Sequence, residues 1–158
     1  MEPQEKFVED FGLFFEAQNL NRTAGRIFGW LLICTPAEQT LDDLTDALQM
    51  AKSTVSTSAR FLDEVGMVER VSKPGIRKDF YRIRPGFWEQ ALKGAMSQFA
   101  GFKQFAERGM DLVADDAAPE QVRVLKEMHS VYSFFSREFP ALLEQWEREH
   151  REALNDES

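Results

Sequence analysis

The chain has 158 residues, of which 43% are hydrophobic, so it is long and apolar enough for one folded domain with appendages and is not a disordered polypeptide. Its longest uncharged stretch, residues 27–37, is much shorter than the roughly 20 residues of a bilayer span, and its first residues lack the features of a secretory signal, so we expect a cytoplasmic protein without a membrane partner. The net charge of −8 argues against general binding to a polyanion, but residues 52–84 carry eight Lys or Arg against four Asp or Glu, a local charge of +4.

The first two predicted elements are helices. Over residues 1–20, four phenylalanines recur at helical spacing among acidic residues, and a run rich in asparagine ends the pattern. Asn21 is suited to cap a second helix over residues 22–33. In that helix Gly25 and Gly29 lie on one face, which lets another helix approach closely.

Two short helices with a tight joint follow. Thr40 begins a capping signature that Asp43 completes, and this predicts a helix over residues 41–48. After three joining residues, a helix over residues 52–65 ends at Gly66, a residue suited to the left-handed C-cap position. The pair predicts a helix-turn-helix.

A β-hairpin is expected next. Residues 67–72 are apolar and β-branched, residues 73–75 supply turn chemistry, and residues 78–84 alternate in polarity. Two long helical patterns complete the chain, over residues 87–114 and 120–154. The predicted fold class is mainly α with a small β-hairpin wing, a winged helix-turn-helix with flanking N- and C-terminal helices.

The helix over residues 52–65 has one apolar face, formed by Val55, Ala59 and Leu62, and one face of short hydroxyl and basic side chains. Hydroxyl residues lower helix propensity, so their use on an outer face indicates a partner, and short side chains let a helix enter a major groove. The hairpin, or wing, over residues 68–84 adds cations that suit a phosphate backbone or a minor groove. The candidate DNA-binding residues are Lys52, Ser53, Thr54, Ser56, Thr57 and Arg60 in the helix and Lys73, Arg77, Lys78 and Arg82 in the hairpin.

Other classes of function have less support. His129 and His150 are 21 residues apart with no metal-ligand spacing, and no phosphate-binding glycine loop or nucleophile motif is present, so we expect no enzyme, no metal and no cofactor. Cys34 follows an apolar helix end, which favours a buried, inert thiol over an oxidation sensor. A winged helix that binds protein rather than DNA remains the alternative function.

The last two helical patterns carry apolar stripes. Leu125, Met128, Tyr132, Phe135, Phe139, Leu142 and Trp146 are spaced alternately by three and four residues, and Trp88, Leu92, Met96, Phe99 and Phe102 line the preceding pattern. Such stripes form either a core within one chain or a seam between two chains, and both uses are compatible. Pro140 interrupts the stripe, where it either kinks the helix or begins a new one.

Three segments, RTAGRI from Arg22, KSTVSTSARFLDEVGMVERV from Lys52 and GIRKDFYRI from Gly75, together resemble the GbsR branch of the MarR regulator family. The resemblance implies a repressor or activator that binds an operator as a homodimer. Its domains would be an N-terminal dimer arm over residues 1–20, a winged helix-turn-helix over 21–85, and a dimerisation and effector region over 86–158.

Two further expectations depend on this resemblance. Arg22 and Arg26 match a basic pair of the branch, so they are candidate phosphate contacts, with intramolecular pairing to nearby acids as the alternative. The branch is associated with quaternary-amine effectors, for which an aromatic cage is the natural design. The candidate cage residues are Trp88, Tyr132, Phe135 and Trp146, with core filling as the alternative.

Overall fold

Helices make up most of the chain, which we describe from a computed structural model over residues 2–156. The first four helices share the N-terminal half of the chain with a three-stranded antiparallel sheet. In chain order the elements are α1 (Pro3–Ala17), α2 (Arg22–Ile33), β1 (Gln39–Thr40), α3 (Leu41–Leu48), α4 (Lys52–Glu64), β2 (Val68–Ser72), β3 (Asp79–Ile83), α5 (Phe87–Leu112) and α6 (Pro119–Asp156).

The α1 and α2 helices pack closely because α2 has glycines where it faces α1. Asn21 caps α2 as predicted, with its side-chain oxygen accepting from the Ala24 backbone N–H at 2.9 Å. A Cβ atom added to Gly25 would lie 2.7 Å from the Phe15 Cβ, and one added to Gly29 would lie 2.8 Å from the Phe11 Cβ. The predicted close helix contact is therefore confirmed, and α1 is its partner.

The caps of the helix-turn-helix are those that the sequence predicts. The Thr40 side chain accepts from the Asp43 N–H at 3.1 Å, and the Asp43 carboxylate accepts from the Thr40 N–H at 2.8 Å. At the end of α4, Gly66 has a φ of 80°, its N–H donates to Asp63 O, and the Met67 N–H donates to Leu62 O. This left-handed cap turns the chain directly from α4 into β2.

The sheet contains one strand more than the predicted hairpin. Strands β2 and β3 form the hairpin, and β1 pairs with the other edge of β3 in the order β1-β3-β2. Gln39 lies opposite Tyr81 and Thr40 lies opposite Phe80. This pairing holds the start of α3 against the wing.

The chain divides into two compact units between Phe87 and Trp88, which we call the N-terminal unit and the C-terminal unit. The N-terminal unit has a continuous core to which α1, α2, α3, α4 and the sheet all contribute. Phe28 is fully buried at its centre, with ring centroids of Phe11, Phe15 and Phe87 at 5.7–5.8 Å. This core fixes the orientation of α4.

The C-terminal unit consists of α5 and α6. Phe99 of α5 packs against three rings of α6, those of Tyr132, Phe135 and Phe139. Of the side chains described in this unit, Ala106 alone is buried. Helix α6 runs through Pro140, so a new helix does not begin there. In the described part of the chain, no helix is both long and apolar enough to cross a membrane.

Candidate DNA-binding surface

Helix α4 has the two faces that its sequence predicts. Val55, Ala59 and Leu62 are fully buried in the core of the N-terminal unit. On the other side Ser53 and Thr57 are exposed, as are Lys52, Thr54 and Arg60, while Ser56 is half-buried. Because one face is anchored in the core, the hydroxyl and basic groups of the other are held on a rigid helix.

The hydroxyl groups of α4 do not all point outward. Ser58 is only 6% exposed and belongs to the buried face. Thr57 donates its hydroxyl proton to the backbone oxygen of Ser53 at 2.9 Å. Ser53, Thr54, Ser56 and Thr57 are the hydroxyl residues of α4 outside its buried face. Ser56 together with Arg60 also lines a groove of about 460 Å³ between α4 and the sheet.

Asp42, in the first turn of α3, joins α4 to the wing. The Lys52 ammonium donates to one carboxylate oxygen at 2.6 Å, and the Lys78 ammonium donates to the other at 2.7 Å. These hydrogen bonds, that from Lys52 first, lower the pKa of Asp42 from 3.8 to about 2. The bond to Asp42 in turn raises the pKa of Lys78. The two lysines, far apart in sequence, are therefore brought to one carboxylate.

Glu38, just before β1, makes a similar arrangement with two other cations of the wing. It binds Lys73, and Arg82 lies 3.1 Å from its second oxygen. The hydrogen bond from Lys73 is the largest cause that lowers the pKa of Glu38. Arg82 also pairs with Glu69 at 2.6 Å, and the Lys73 ammonium lies 4.2 Å from the centre of the Phe80 ring.

Glu38 and Asp42 are functional candidates that the sequence patterns do not identify. Both lie outside the basic segment of residues 52–84, and they reduce its local charge from +4 to +2. The pairing of β1 with β3 accounts for Glu38, because extending that register by one residue sets Glu38 opposite Arg82, but a strand of two polar residues gives no signal in the sequence. The four cations they hold are all among the predicted DNA-binding residues.

Two of the predicted cations remain without a carboxylate partner among the described residues. Arg60 on α4 and Arg77 in the hairpin turn are both exposed, and neither lies within 4.0 Å of an acidic oxygen in the part of the chain that the structure describes. Of the predicted cationic contacts, these two therefore have no internal carboxylate among the described residues that an external anion would first have to displace.

Arg22 and Arg26 instead contact the acidic face of α1. Arg22 lies 3.1 Å from Glu9, and the Arg26 Nε lies 2.6 Å from the other oxygen of the same carboxylate. Arg26 also donates to the backbone oxygen of Leu48 at 3.2 Å, at the joint before α4. The observed contacts are those of the intramolecular alternative, and a role in phosphate binding stays a prediction.

The four aromatic residues of the expected effector cage have different surroundings within the C-terminal unit. Tyr132 stacks on Phe102 with ring centroids 4.8 Å apart, and Phe135 packs against Phe99. Trp146 stacks on His150 and lines a cavity of about 390 Å³ whose lining includes none of the other three. Trp88 is 57% exposed. No cage formed by all four is therefore present in the described cavities.

A three-stranded winged helix-turn-helix whose second helix exposes hydroxyl and basic groups is typical of proteins that bind DNA through a helix in the major groove. A model of the MmpR5-like MarR family of transcriptional regulators matches residues 86–149. The HTH-type transcriptional regulator MmpR5 of Mycobacterium tuberculosis is 34% identical over 129 residues, which cover 82% of this chain and 78% of that protein. The HTH-type transcriptional repressor OpcR of Bacillus subtilis is 27% identical over 85 residues, 54% of this chain and 43% of that protein.

A solved structure agrees with these sequence matches. The crystal structure of a transcriptional regulator superposes with a TM-score of 0.73 at 31% identity, covering 93% of this chain and 99% of that chain. The chain belongs to the MmpR5-like MarR family of transcriptional regulators. It is a DNA-binding transcription regulator with a winged helix. The finer resemblance to the GbsR branch stays a prediction.

Proposed function

We propose that the protein binds a specific DNA operator as a homodimer, with α4 in the major groove and the hairpin on the backbone or in the minor groove. The observation that carries the DNA contact is the division of α4 into a fully buried apolar face and an exposed face with Ser53, Thr57 and Arg60. Such a helix is rigid, narrow on its outer side and able to donate hydrogen bonds to base edges.

Binding of duplexes selected by the protein from a random-sequence pool tests this function. We expect affinity to fall steeply with rising salt, because each phosphate contact adds about 0.9 to the logarithmic salt slope. Arg60→Ala should weaken binding by about 1–3 kcal/mol and relax the sequence preference at one position. Arg77→Ala should reduce the salt slope by about 1 and weaken selected and scrambled duplexes alike.

Recovery of no duplex, or binding that is insensitive to both salt and Arg60→Ala, would contradict the function. That result would favour the alternative of a winged helix that binds protein, which needs neither accessible arginine.

The homodimer is supported by the apolar surface of the C-terminal unit. Large apolar side chains there are strongly exposed, at 81% for Leu112, 63% for Val124, 62% for Phe105 and 58% for Leu142. Two helices that bury a single described side chain do not form an independent core. A second copy of the chain is the partner that would cover their apolar surface. Phe14 and Leu13 of α1, 60% and 47% exposed, are separate candidates for a dimer contact of the N-terminal arm.

Sedimentation equilibrium of the full chain at micromolar concentration tests the dimer. We expect wild type to be dimeric and Leu142→Glu to dissociate it, since a charge at an apolar interface is costly. Val65→Glu is the matched control, because Val65 is 50% exposed but lies in the N-terminal unit. A monomeric wild type would contradict the proposal, as would equal dissociation by both variants.

A small-molecule effector and a site of action in the cytoplasm complete the proposal. Support for the effector comes from the resemblance to the GbsR branch and from the partly exposed ring of Trp146, an aromatic surface of the kind that binds a quaternary amine. Choline titrated against the complex with selected DNA is the probe. We expect choline to release the DNA and to change the tryptophan fluorescence. The absence of both responses at a large molar excess of choline over protein would count against an amine effector.

A further inference from the structure

We propose that Asp42 and Glu38 are internal substitutes for DNA phosphates, which occupy the basic side chains of α4 and the wing in the free protein and thereby suppress binding to nonspecific DNA. This inference rests on the proposed function, since it takes Lys52, Lys78, Lys73 and Arg82 to be DNA contacts.

The arrangement at Asp42 has the geometry of a phosphate contact. Its two oxygens accept from two different ammonium groups, at 2.6 Å from Lys52 and 2.7 Å from Lys78. One lysine begins α4 and the other lies in the hairpin, so the carboxylate occupies the position between helix and wing. The two non-bridging oxygens of a DNA phosphate would fit the same pair of donors.

Asp42 is not needed for the cap of α3. The neighbouring Asp43 accepts from the Thr40 backbone N–H and hydroxyl, which completes the capping box. The carboxylate of Asp42 is 43% exposed and its two lysines are more than 60% exposed. Ion pairs so open to solvent add little to stability. The position of Asp42 is therefore better explained by an effect on the lysines than by an effect on folding.

Glu38 repeats the arrangement for the remaining pair of cations. It binds Lys73 and Arg82, whereas Arg60 and Arg77 have no such partner among the described residues. Two carboxylates, one just before β1 and one in the first turn of α3, thus hold four of the six predicted cationic contacts. The two that stay accessible lie on the outer face of α4 and at the turn of the wing.

Competition of this kind discriminates between DNA sequences. On nonspecific DNA, binding depends on phosphate contacts alone, and internally paired lysines contribute fewer of them. On the operator, base contacts by α4 hold the protein close enough for phosphates to displace the carboxylates. The internal pairs therefore reduce affinity for nonspecific DNA more than affinity for the operator, which raises the specificity ratio.

The test compares Asp42→Asn with Asp46→Asn in the full-length protein. Both substitutions remove one negative charge from α3, but the Asp46 side chain is exposed and has no cation within 4.0 Å among the described residues. Fluorescence anisotropy is measured from low to physiological salt on a duplex selected by the wild type and on its scrambled version. Glu38→Gln provides a second, independent variant.

We expect Asp42→Asn to bind the scrambled duplex about 8-fold more tightly per lysine released at 0.1 M salt, with a salt slope steeper by about 0.9 for each. The selected duplex should gain less, so the specificity ratio falls. Asp46→Asn should change both duplexes slightly and equally.

Equal effects of Asp42→Asn and Asp46→Asn would overturn the proposal, and so would weaker binding by Asp42→Asn, since Asp42 would then position the lysines for DNA. Both outcomes concern only the variants. The wild type would still bind the selected duplex, so the proposed function would stand. A wild type that recovers no duplex refutes the proposed function itself.

Discussion

Gly25→Ala perturbs the contact between α1 and α2 at a point of close approach. The added Cβ would lie 2.7 Å from the Phe15 Cβ, 2.8 Å from the Phe15 Cγ and 2.9 Å from the backbone oxygen of Phe11. Ordinary contacts between carbon atoms are about 3.5–4.0 Å, so α1 must move outward by roughly 1 Å. None of these atoms is the end of a flexible side chain that could rotate away.

The expected change in the free energy of unfolding follows from two opposing effects. Overpacking costs about 1–3 kcal/mol, toward the upper end here because backbone must shift. Alanine in place of glycine within a helix returns about 1 kcal/mol. We therefore expect Gly25→Ala to destabilise the protein by about 2 kcal/mol. The packing of Phe11 and Phe15 against Phe28 should loosen as a consequence.

Urea denaturation followed by circular dichroism measures this change. Gly94→Ala is the control, because Gly94 is also inside a helix but a Cβ there would meet no atom within 4 Å. It should raise stability by up to about 1 kcal/mol. All samples need the same protein concentration, since dimerisation would shift the midpoint. A Gly25→Ala protein as stable as Gly94→Ala would refute the close-packing argument.

Three further predictions concern stability. Thr40→Ala should lower the free energy of unfolding by about 1 kcal/mol, since the Asp43 N–H loses its acceptor; an unchanged urea midpoint would contradict it. Phe28→Ala should cost about 3–5 kcal/mol because its ring is fully buried, and a cost below about 1 kcal/mol would mean that the core is looser than described. The folded-state pKa of Asp42, about 2, lies below the ordinary 3.8, so its ion pairs stabilise the fold above that ordinary value and lose their effect as pH falls through about 2. Because these pairs are open to solvent, Asp42→Asn should lower the urea midpoint only slightly at pH 7 and not at all near pH 2, and a gap that widens on acidification would show the sign to be wrong.

The helices and their caps could be predicted because their signals are local. Asn21, Thr40 with Asp43, and Gly66 each act on backbone groups within four residues, and all three have the predicted roles in the structure. The apolar face and the polar face of α4 could likewise be predicted, since burial at helical spacing depends on the order of residues within one element.

The third strand could not be predicted in the same way. Gln39 and Thr40 are polar, and a two-residue strand has no periodicity of its own; it forms because β3 offers a free edge. The partners of the wing cations depend on that strand, since it brings Glu38 and Asp42 beside residues about 40 positions later in the chain. Charge counted along the sequence therefore overestimated the positive potential of the candidate surface.

The two units differ in the source of their stability, and this difference bears on function. The central side chains of the N-terminal unit, such as Phe28 and Leu62, are fully buried. This core therefore orients α4 without help from another chain. In the C-terminal unit Phe99 contacts both Tyr132 and Phe135, yet Phe135 remains 41% exposed. If a second chain covers these rings, the sequence of this unit encodes pairing while that of the N-terminal unit encodes DNA contact. Because a dimer places two copies of α4 on one duplex, a substitution in the C-terminal unit would weaken operator binding through the loss of the second contact, without altering any residue that touches DNA.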